Sequence, residues 1–175
     1  MRVATICGSL QASSSNEALL EAARARAPAG TTVAAVPSIG TLPHYNPDLD
    51  TDPAPPAVAA FRDALAVSDA VLIATPEYAH EMPGVLKNAL DWVVGSPELV
   101  DKPVGIMSAG TSGGEYVLPI LATTLEVMSA RVVASLGVGG VRKKRDEAGD
   151  IVDPATLDDI AALLVRLRDA GEGPS

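Results

Sequence analysis

The feature of this sequence that most limits its fold is a fivefold alternation of short apolar segments with longer segments of helical periodicity. The short runs are rich in β-branched residues, which suits strands that are buried on both faces. Strands that alternate with helices in this way are typical of a parallel sheet whose connections are helical. The predicted strands cover residues 2–7, 32–36, 69–75, 103–108 and 131–136.

Each predicted helix has an apolar face at helical spacing, and several begin at a residue type that favours a first turn. Asn16 and Asp153 have side chains that cap helix N-termini, and Pro83 and Pro154 suit a first helical position. The predicted helices cover residues 16–27, 58–66, 83–93, 115–128 and 154–170.

Five strand–helix units in 175 residues fit one α/β domain with a doubly wound, three-layer architecture. We expect a five-stranded parallel sheet in the order 2-1-3-4-5, with helices on both faces. Right-handed crossovers then bring the loops that follow the strands to one edge, where ligands bind beside the switch point between strands 1 and 3. The domain is expected to span residues 1–175, with a frayed tail from about residue 171.

Composition argues against several classes of protein. A net charge of −9 repels nucleic-acid phosphates, and no apolar stretch approaches the roughly 20 residues of a membrane-spanning helix. The first residues are typical of a strand rather than of a signal peptide. Cys7 is the single cysteine, cannot form an internal disulfide, and is predicted to be a buried strand thiol. A cytoplasmic protein without nucleic-acid or membrane partners is expected.

The loop after the first strand has the sequence Gly-Ser-Leu-Gln-Ala-Ser-Ser-Ser-Asn, residues 8–16. Amides at a helix N-terminus, together with clustered hydroxyls, favour binding of an anion. The loop lacks the G-x-G-x-x-G pattern and the P-loop lysine, so a monophosphate suits it better than a dinucleotide or a triphosphate. The alternative is a polar turn whose serines and asparagine only cap the helix.

The loop after the third strand, residues 75–84, is placed by the topology across the switch point from the first loop. Pro76 and Pro83 restrict its shape, and Tyr78 offers a ring face or edge to a flat ligand. The alternative is a purely structural loop, in which the prolines mark a loop start and a helix start.

Together these segments resemble the NAD(P)H-dependent FMN reductase family. The resemblance extends from Met1 to about Leu136, and residues 83–92 are its most specific part. The segments that carry it are Gly8-Ser9-Leu10, Ser14, Asn16, Pro43, Tyr45-Asn46-Pro47-Asp48-Leu49, Pro76-Glu77-Tyr78 and Pro83-Gly84-Val85-Leu86-Lys87-Asn88-Ala89-Leu90-Asp91-Trp92.

The resemblance implies a flavodoxin-like fold that binds FMN without a covalent bond and forms dimers or tetramers. Members reduce FMN, quinones, azo dyes or chromate with NADH or NADPH, so the implied enzyme passes a hydride from nicotinamide to FMN and on to a small, quinone-like acceptor. The flavin carries the chemistry, and neither a catalytic side chain nor a metal ligand is predicted.

Carried over by position, the resemblance also implies the binding residues. The phosphate site comprises Ser9, Gln11, Ser14, Ser15 and Asn16. The flavin ring site comprises Pro76, Glu77, Tyr78, Ala79 and His80, closed by Ser108, Gly110 and Gly113 in the loosest-matching loop.

Two positions depart from the family pattern: many members have Arg where this chain has Gln11, and Asn where it has Ala79. A neutral hydrogen bond contributes about 1 kcal/mol against about 1.5–3 kcal/mol for a charge-assisted one, so reduced FMN affinity is expected.

Several alternatives remain open on the sequence. The chain is also compatible with a non-enzymatic electron carrier or ligand-binding module, with a reductase that releases reduced flavin to a monooxygenase, and with a binder of another phosphorylated ligand. His80 and Glu77 form either an acid–base pair or cofactor contacts. The basic run 142–145 is a solvated loop or attracts the 2′-phosphate of NADPH or a partner. The helix that contains Trp92 faces a second subunit, or Trp92 is buried within its own subunit.

Overall fold

The computed structural model describes residues 1–172. It contains a five-stranded parallel sheet in the order β2-β1-β3-β4-β5, which confirms the predicted flavodoxin-like topology. The strands are β1 (Arg2–Cys7), β2 (Thr32–Ala35), β3 (Ala70–Ala74), β4 (Pro103–Gly110) and β5 (Arg131–Gly139).

Helices cover both faces of the sheet and bury two separate hydrophobic clusters against it. One cluster lies under the first and last helices, and the other lies under the three helices between them. None of the helices within residues 1–172 is long and apolar enough to cross a membrane. The helices are α1 (Ser15–Ala25), α2 (Pro56–Ala66), α3 (Gly84–Asp91), α4 (Val117–Val127) and α5 (Pro154–Glu172).

The central strand β3 explains why the two clusters can coexist. All five of its residues are buried, because β1 and β4 flank it and helices cover it on both sides. Side chains alternate across a strand, so Leu72 belongs to the cluster under α1 and α5 and Ile73 to the opposite cluster. Each such fully buried aliphatic side chain contributes about 1.5–3 kcal/mol.

Several predicted boundaries were wrong. Ser14, not Asn16, caps α1: the Ser14 hydroxyl accepts from the amides of Asn16 and Glu17. Strands β4 and β5 continue to Gly110 and Gly139, because they pair with each other over their whole length. Helix α5 runs to Glu172, past the predicted frayed start at residue 171, and the rest of that predicted tail lies outside the described residues.

The long connection between β2 and α2 is anchored to α3. The Asn88 side chain donates to the Pro43 carbonyl (3.0 Å) and accepts from the Tyr45 amide (2.7 Å), and the indole of Trp92 donates to the same carbonyl (2.8 Å). Trp92 is 0 % exposed and meets Tyr45 edge to face, at 5.1 Å between ring centroids. The Trp92 side chain is therefore buried within its own subunit.

Candidate functional site

The first part of the candidate site is the loop that leaves β1 at the carboxyl edge of the sheet. Gly8 lies so close to β3 that a Cβ there would come within 2.6 Å of the Thr75 hydroxyl. The Gly8 amide donates to the Ala74 carbonyl at 2.8 Å. A glycine is required at this crossing, and it sets the loop directly against the loop that follows β3.

Beyond Gly8 the loop presents hydrogen-bond donors at the start of α1. Among residues 1–172, no group accepts a hydrogen bond from the amides of Ala12, Ser13 or Ser15. The hydroxyl of Ser14 is buried and holds the helix cap, while Ser9 and Ser15 are half-buried. Free amides and hydroxyls at a positive helix end form a donor set that suits a phosphoryl group.

Two residues of the predicted phosphate site have different surroundings from the others. The Asn16 side chain is buried and bonds the backbone of Ala109, accepting from its amide at 2.9 Å and donating to its carbonyl at 3.4 Å. This side chain joins the start of α1 to the end of β4. Only the backbone of Asn16 therefore faces the helix N-terminus. Gln11 is exposed, and its backbone amide donates to the Ser9 hydroxyl at 3.3 Å.

The second part of the site is the loop after β3, which contains a two-residue hairpin. Tyr78 and Glu81 exchange both backbone hydrogen bonds, at 2.9 and 3.0 Å, across Ala79 and His80. The φ angles of Ala79 and His80 are +51° and +67°, which is the left-handed backbone that a type I′ turn requires at both central positions. This turn holds the Tyr78 side chain in solvent, 57 % exposed.

Glu77 links this loop to the third part of the site, the loop between β4 and α4. One carboxylate oxygen accepts from the amides of Tyr116 and Val117, both at 2.9 Å, and the other accepts from the Ser112 hydroxyl at 3.0 Å. The Val117 amide is the main reason that the pKa of Glu77 is lowered. Glu77 is therefore a charged cap on α4, a position that the helix dipole favours.

An aromatic contact strengthens the same link. The rings of His80 and Tyr116 are stacked, with 3.8 Å between centroids and 13° between planes. Ser112 lies within the segment 108–113 that the resemblance implied, whereas Tyr116 was missed, although it follows a strand that ends at the same sheet edge. Among the described residues, Glu77 and His80 make no hydrogen bond to each other, although the His80 charge is a smaller contribution to the lowered pKa of Glu77.

The third loop contains the remaining predicted site residues. Ser108 is fully buried, and its hydroxyl has no hydrogen-bond partner among the described residues. Gly114 packs directly against Ser108, because a Cβ on Gly114 would come within 2.3 Å of the Ser108 side chain. A Cβ on Gly113 would come within 3.0 Å of the Gly139 amide, so that glycine allows the loop to pack on β5. Gly110 is half-buried at the end of β4 and has open space around it.

The Cys7 thiol, at the end of β1, also has a shifted pKa. Burial raises the pKa of the Cys7 thiol to about 11, so the half-buried Cys7 is a thiol and not a thiolate at neutral pH. A thiol of this kind is a poor nucleophile. Within residues 1–172, no group of three or more His, Cys, Asp or Glu side chains is placed to hold a metal ion.

Comparison with known proteins identifies the family. The model of a family described as NADPH-dependent FMN reductase matches residues 1–144. A quinone reductase of Escherichia coli strain K12 is 35% identical over 173 residues, which cover 94% of this chain and 92% of that protein.

Two further comparisons point the same way. An NAD(P)H-dependent FMN reductase of Pseudomonas aeruginosa is 39% identical over 134 residues, covering 73% of this chain and 72% of that protein. The solved structure of FerB, a flavoenzyme NAD(P)H:(acceptor) oxidoreductase from Paracoccus denitrificans, superposes with a TM-score of 0.82 and 29% identity. It covers 98% of this chain and 97% of that one.

Proposed function

The chain belongs to the NADPH-dependent FMN reductase family, and on that premise we propose how its own residues serve the reaction. It is an oxidoreductase that reduces flavin or quinone-type acceptors with NADH or NADPH. When bound, FMN would supply the redox chemistry, transfer of a hydride from a reduced nicotinamide and of electrons to an acceptor, and the residues of this chain would bind and orient it. We propose that FMN stays bound as a prosthetic group and that the acceptor is a small quinone.

The phosphate end is assigned to the loop between β1 and α1. The observation that carries the proposal is the set of amides at Ala12, Ser13 and Ser15 that have no acceptor among the described residues. Hydroxyls of Ser9 and Ser15 add donors, and Ser14 keeps the loop in place by capping α1. Asn16 acts as a positioning residue, because its side chain fixes the helix start to β4.

The ring end is assigned to the loops after β3 and β4. Buried Pro76 and the hairpin at Ala79 and His80 restrict the backbone, so its amide and carbonyl groups are preorganised for the rim of a planar heterocycle. Glu77 holds the two loops at a fixed separation through Ser112 and α4. The exposed Tyr78 ring supplies an apolar surface beside this groove.

The nicotinamide co-substrate is anionic, and two cations of the basic run remain available to it. Lys144 is paired with Asp153 at 3.0 Å and Arg145 is bound to the first loop, whereas Arg142 and Lys143 are exposed. Attraction of the co-substrate phosphates by this pair is part of the proposal. A reducing cytoplasmic compartment suits a chain with a single cysteine.

We also propose that the protein is a homo-oligomer, assembled through α3 and α4. Val94 and Val127 are 54 % and 78 % exposed and line the same shallow groove between these helices. Contiguous exposed apolar side chains of this kind mark interaction surfaces, and a second copy can offer an identical patch across a twofold axis.

Titration of the purified full-length protein with FMN tests the proposal. Stoichiometric binding with a shifted flavin spectrum is expected, and riboflavin, which lacks the phosphate, should bind more weakly. Oxidation of NADPH and NADH is then followed with menadione as acceptor, and parallel initial-rate lines are expected for a reaction in which the two substrates bind in turn.

The same measurements separate the alternatives. Weak FMN binding together with turnover of excess FMN would favour release of reduced flavin to another enzyme. Tight FMN binding without NADPH or NADH oxidation would favour an electron carrier. Absence of FMN binding and of both activities would contradict the proposed function.

A further inference from the structure

Arg145 lies against the loop between β1 and α1 although it is 130 residues away from Ser15 in the chain. Its Nη1 donates to the Ser15 hydroxyl at 3.1 Å and to the Ser13 carbonyl at 3.4 Å. Ser13 and Ser15 themselves carry two of the three free backbone amides of the proposed phosphate site. The Arg145 guanidinium is therefore hydrogen-bonded to the Ser15 hydroxyl, which is itself assigned to that site.

The charge of this guanidinium is not neutralised within the described part of the chain. Its acceptors are a hydroxyl and the backbone carbonyls of Ser13 and Gly149, and no carboxylate that the structure describes lies within 4 Å of it. By contrast, neighbouring Lys144 pairs with Asp153. Residues 9–16 contain no cationic side chain of their own.

A structured turn holds Arg145 in this position. The Arg145 Nε donates to the Gly149 carbonyl, and Arg145 pairs with Ile151 as an isolated antiparallel bridge. The Asp146 carboxylate accepts from the amides of Gly149 and Asp150 at 2.9 and 3.0 Å. Gly149 has a φ of +94°, and a Cβ there would come within 2.5 Å of Nη2, so the turn leaves room for the guanidinium only with glycine.

We propose that Arg145 is the cation that recognises the FMN phosphate and makes this chain select FMN over riboflavin. The inference rests on the proposed function, which places the phosphate at the start of α1. A guanidinium fixed in this position would add charge-assisted hydrogen bonds to the phosphate, beyond those of the neutral amides and hydroxyls. Its planar arrangement of N–H donors also suits phosphate oxygens. The residue lies just beyond the end of the family match at residue 144, so the contact is made by a segment outside that match.

The test compares FMN with riboflavin in full-length protein freed of flavin. Arg145→Gln is expected to weaken FMN binding about tenfold and to leave riboflavin binding unchanged, since only FMN has the phosphate. Salt should weaken FMN binding less in the variant than in the unmodified protein, because one charge contact is lost. Arg145→Lys should recover part of the affinity. Arg142→Gln is the matched control, because it removes the same charge from the same basic run.

Each outcome bears on the inference in a defined way. Equal losses for FMN and riboflavin in Arg145→Gln would show that Arg145 only supports the loop, and would overturn the inference. Unchanged FMN affinity in that variant, or an equal loss in Arg142→Gln, would overturn it too. If the unmodified protein bound no FMN, the proposed function itself would fail. Thermal unfolding of each variant checks that the fold is retained.

Discussion

At the scale of single residues, the site depends on backbone conformations that few side chains tolerate. Ala79 and His80 both have positive φ, in a turn where Asn and Gly are the usual residues. Asn adopts the left-handed conformation at lower cost, because its short polar side chain bonds locally. The family resemblance implies Asn in many members where this chain has Ala79, and the structure places Ala79 in left-handed backbone, which an alanine adopts at a cost.

Ala79→Asn is therefore expected to stabilise the protein. The gain should be about 0.5–1 kcal/mol, because the φ of +51° no longer opposes the residue type. For a chain of this size that corresponds to a rise of about 1–4 °C in Tm, measured by circular dichroism.

Ala148→Asn is the control for this change, since Ala148 lies in an exposed turn without a positive φ. No gain is expected there. An unchanged or lower Tm for Ala79→Asn, or an equal gain at both positions, would contradict the strain argument.

At the scale of elements, carboxylates that cap helices have lowered pKa values, as Glu77 does on α4 and Asp153 on α5. Asp153 caps α5 by accepting from the Thr156 amide (3.0 Å) and hydroxyl (2.6 Å) and from Lys144 Nζ (3.0 Å). These groups, with the Thr156 hydroxyl first, lower the pKa of Asp153 to about 2. This cap and the proline that follows it were predictable, because all the relevant residues are adjacent in sequence.

The lowered pKa of Asp153 gives a dependence of stability on pH with a defined sign. The folded pKa, about 2, lies below the unfolded value of about 3.9, so the cap contributes fully above pH 4 and is lost between pH 4 and pH 2. The Tm of Asp153→Ala should lie below that of the unmodified protein at pH 7, and the difference should shrink as the pH falls to 2.

Asp158→Asn, on the exposed side of the same helix, is the matched control and should show no such convergence. A difference between Asp153→Ala and the unmodified protein that stayed constant from pH 7 to pH 2 would contradict the assigned role.

At the scale of the whole molecule, the sheet brings three loops to one edge and leaves one apolar groove uncovered between α3 and α4. The proposed oligomer uses that groove, and Val127 is its most exposed apolar side chain. Val127→Asp places a charge where a second copy would bury it, which is costly for an unpaired carboxylate.

The variant Val127→Asp should therefore run as a smaller species than the unmodified protein in size-exclusion chromatography with light scattering. Val67→Asp is the control, because Val67 is also exposed, at 55 %, but lies at the end of α2 away from the groove. A monomeric unmodified protein would contradict the proposed assembly, as would an unchanged mass for Val127→Asp.

The sequence by itself determined the alternation of strands and helices and the polar loop at the start of α1, because hydrophobic periodicity and helix-capping chemistry act over a few residues. The strand order was expected only from the doubly wound architecture that this alternation implies. Only the tertiary structure decided which distant residues hold the loops of the site together. Asn16 bonds to Ala109, Glu77 caps α4 and Arg145 reaches Ser15, and each contact joins residues tens of positions apart. Local patterns do not encode such pairings, since they exist only once the crossovers have brought the strand ends together.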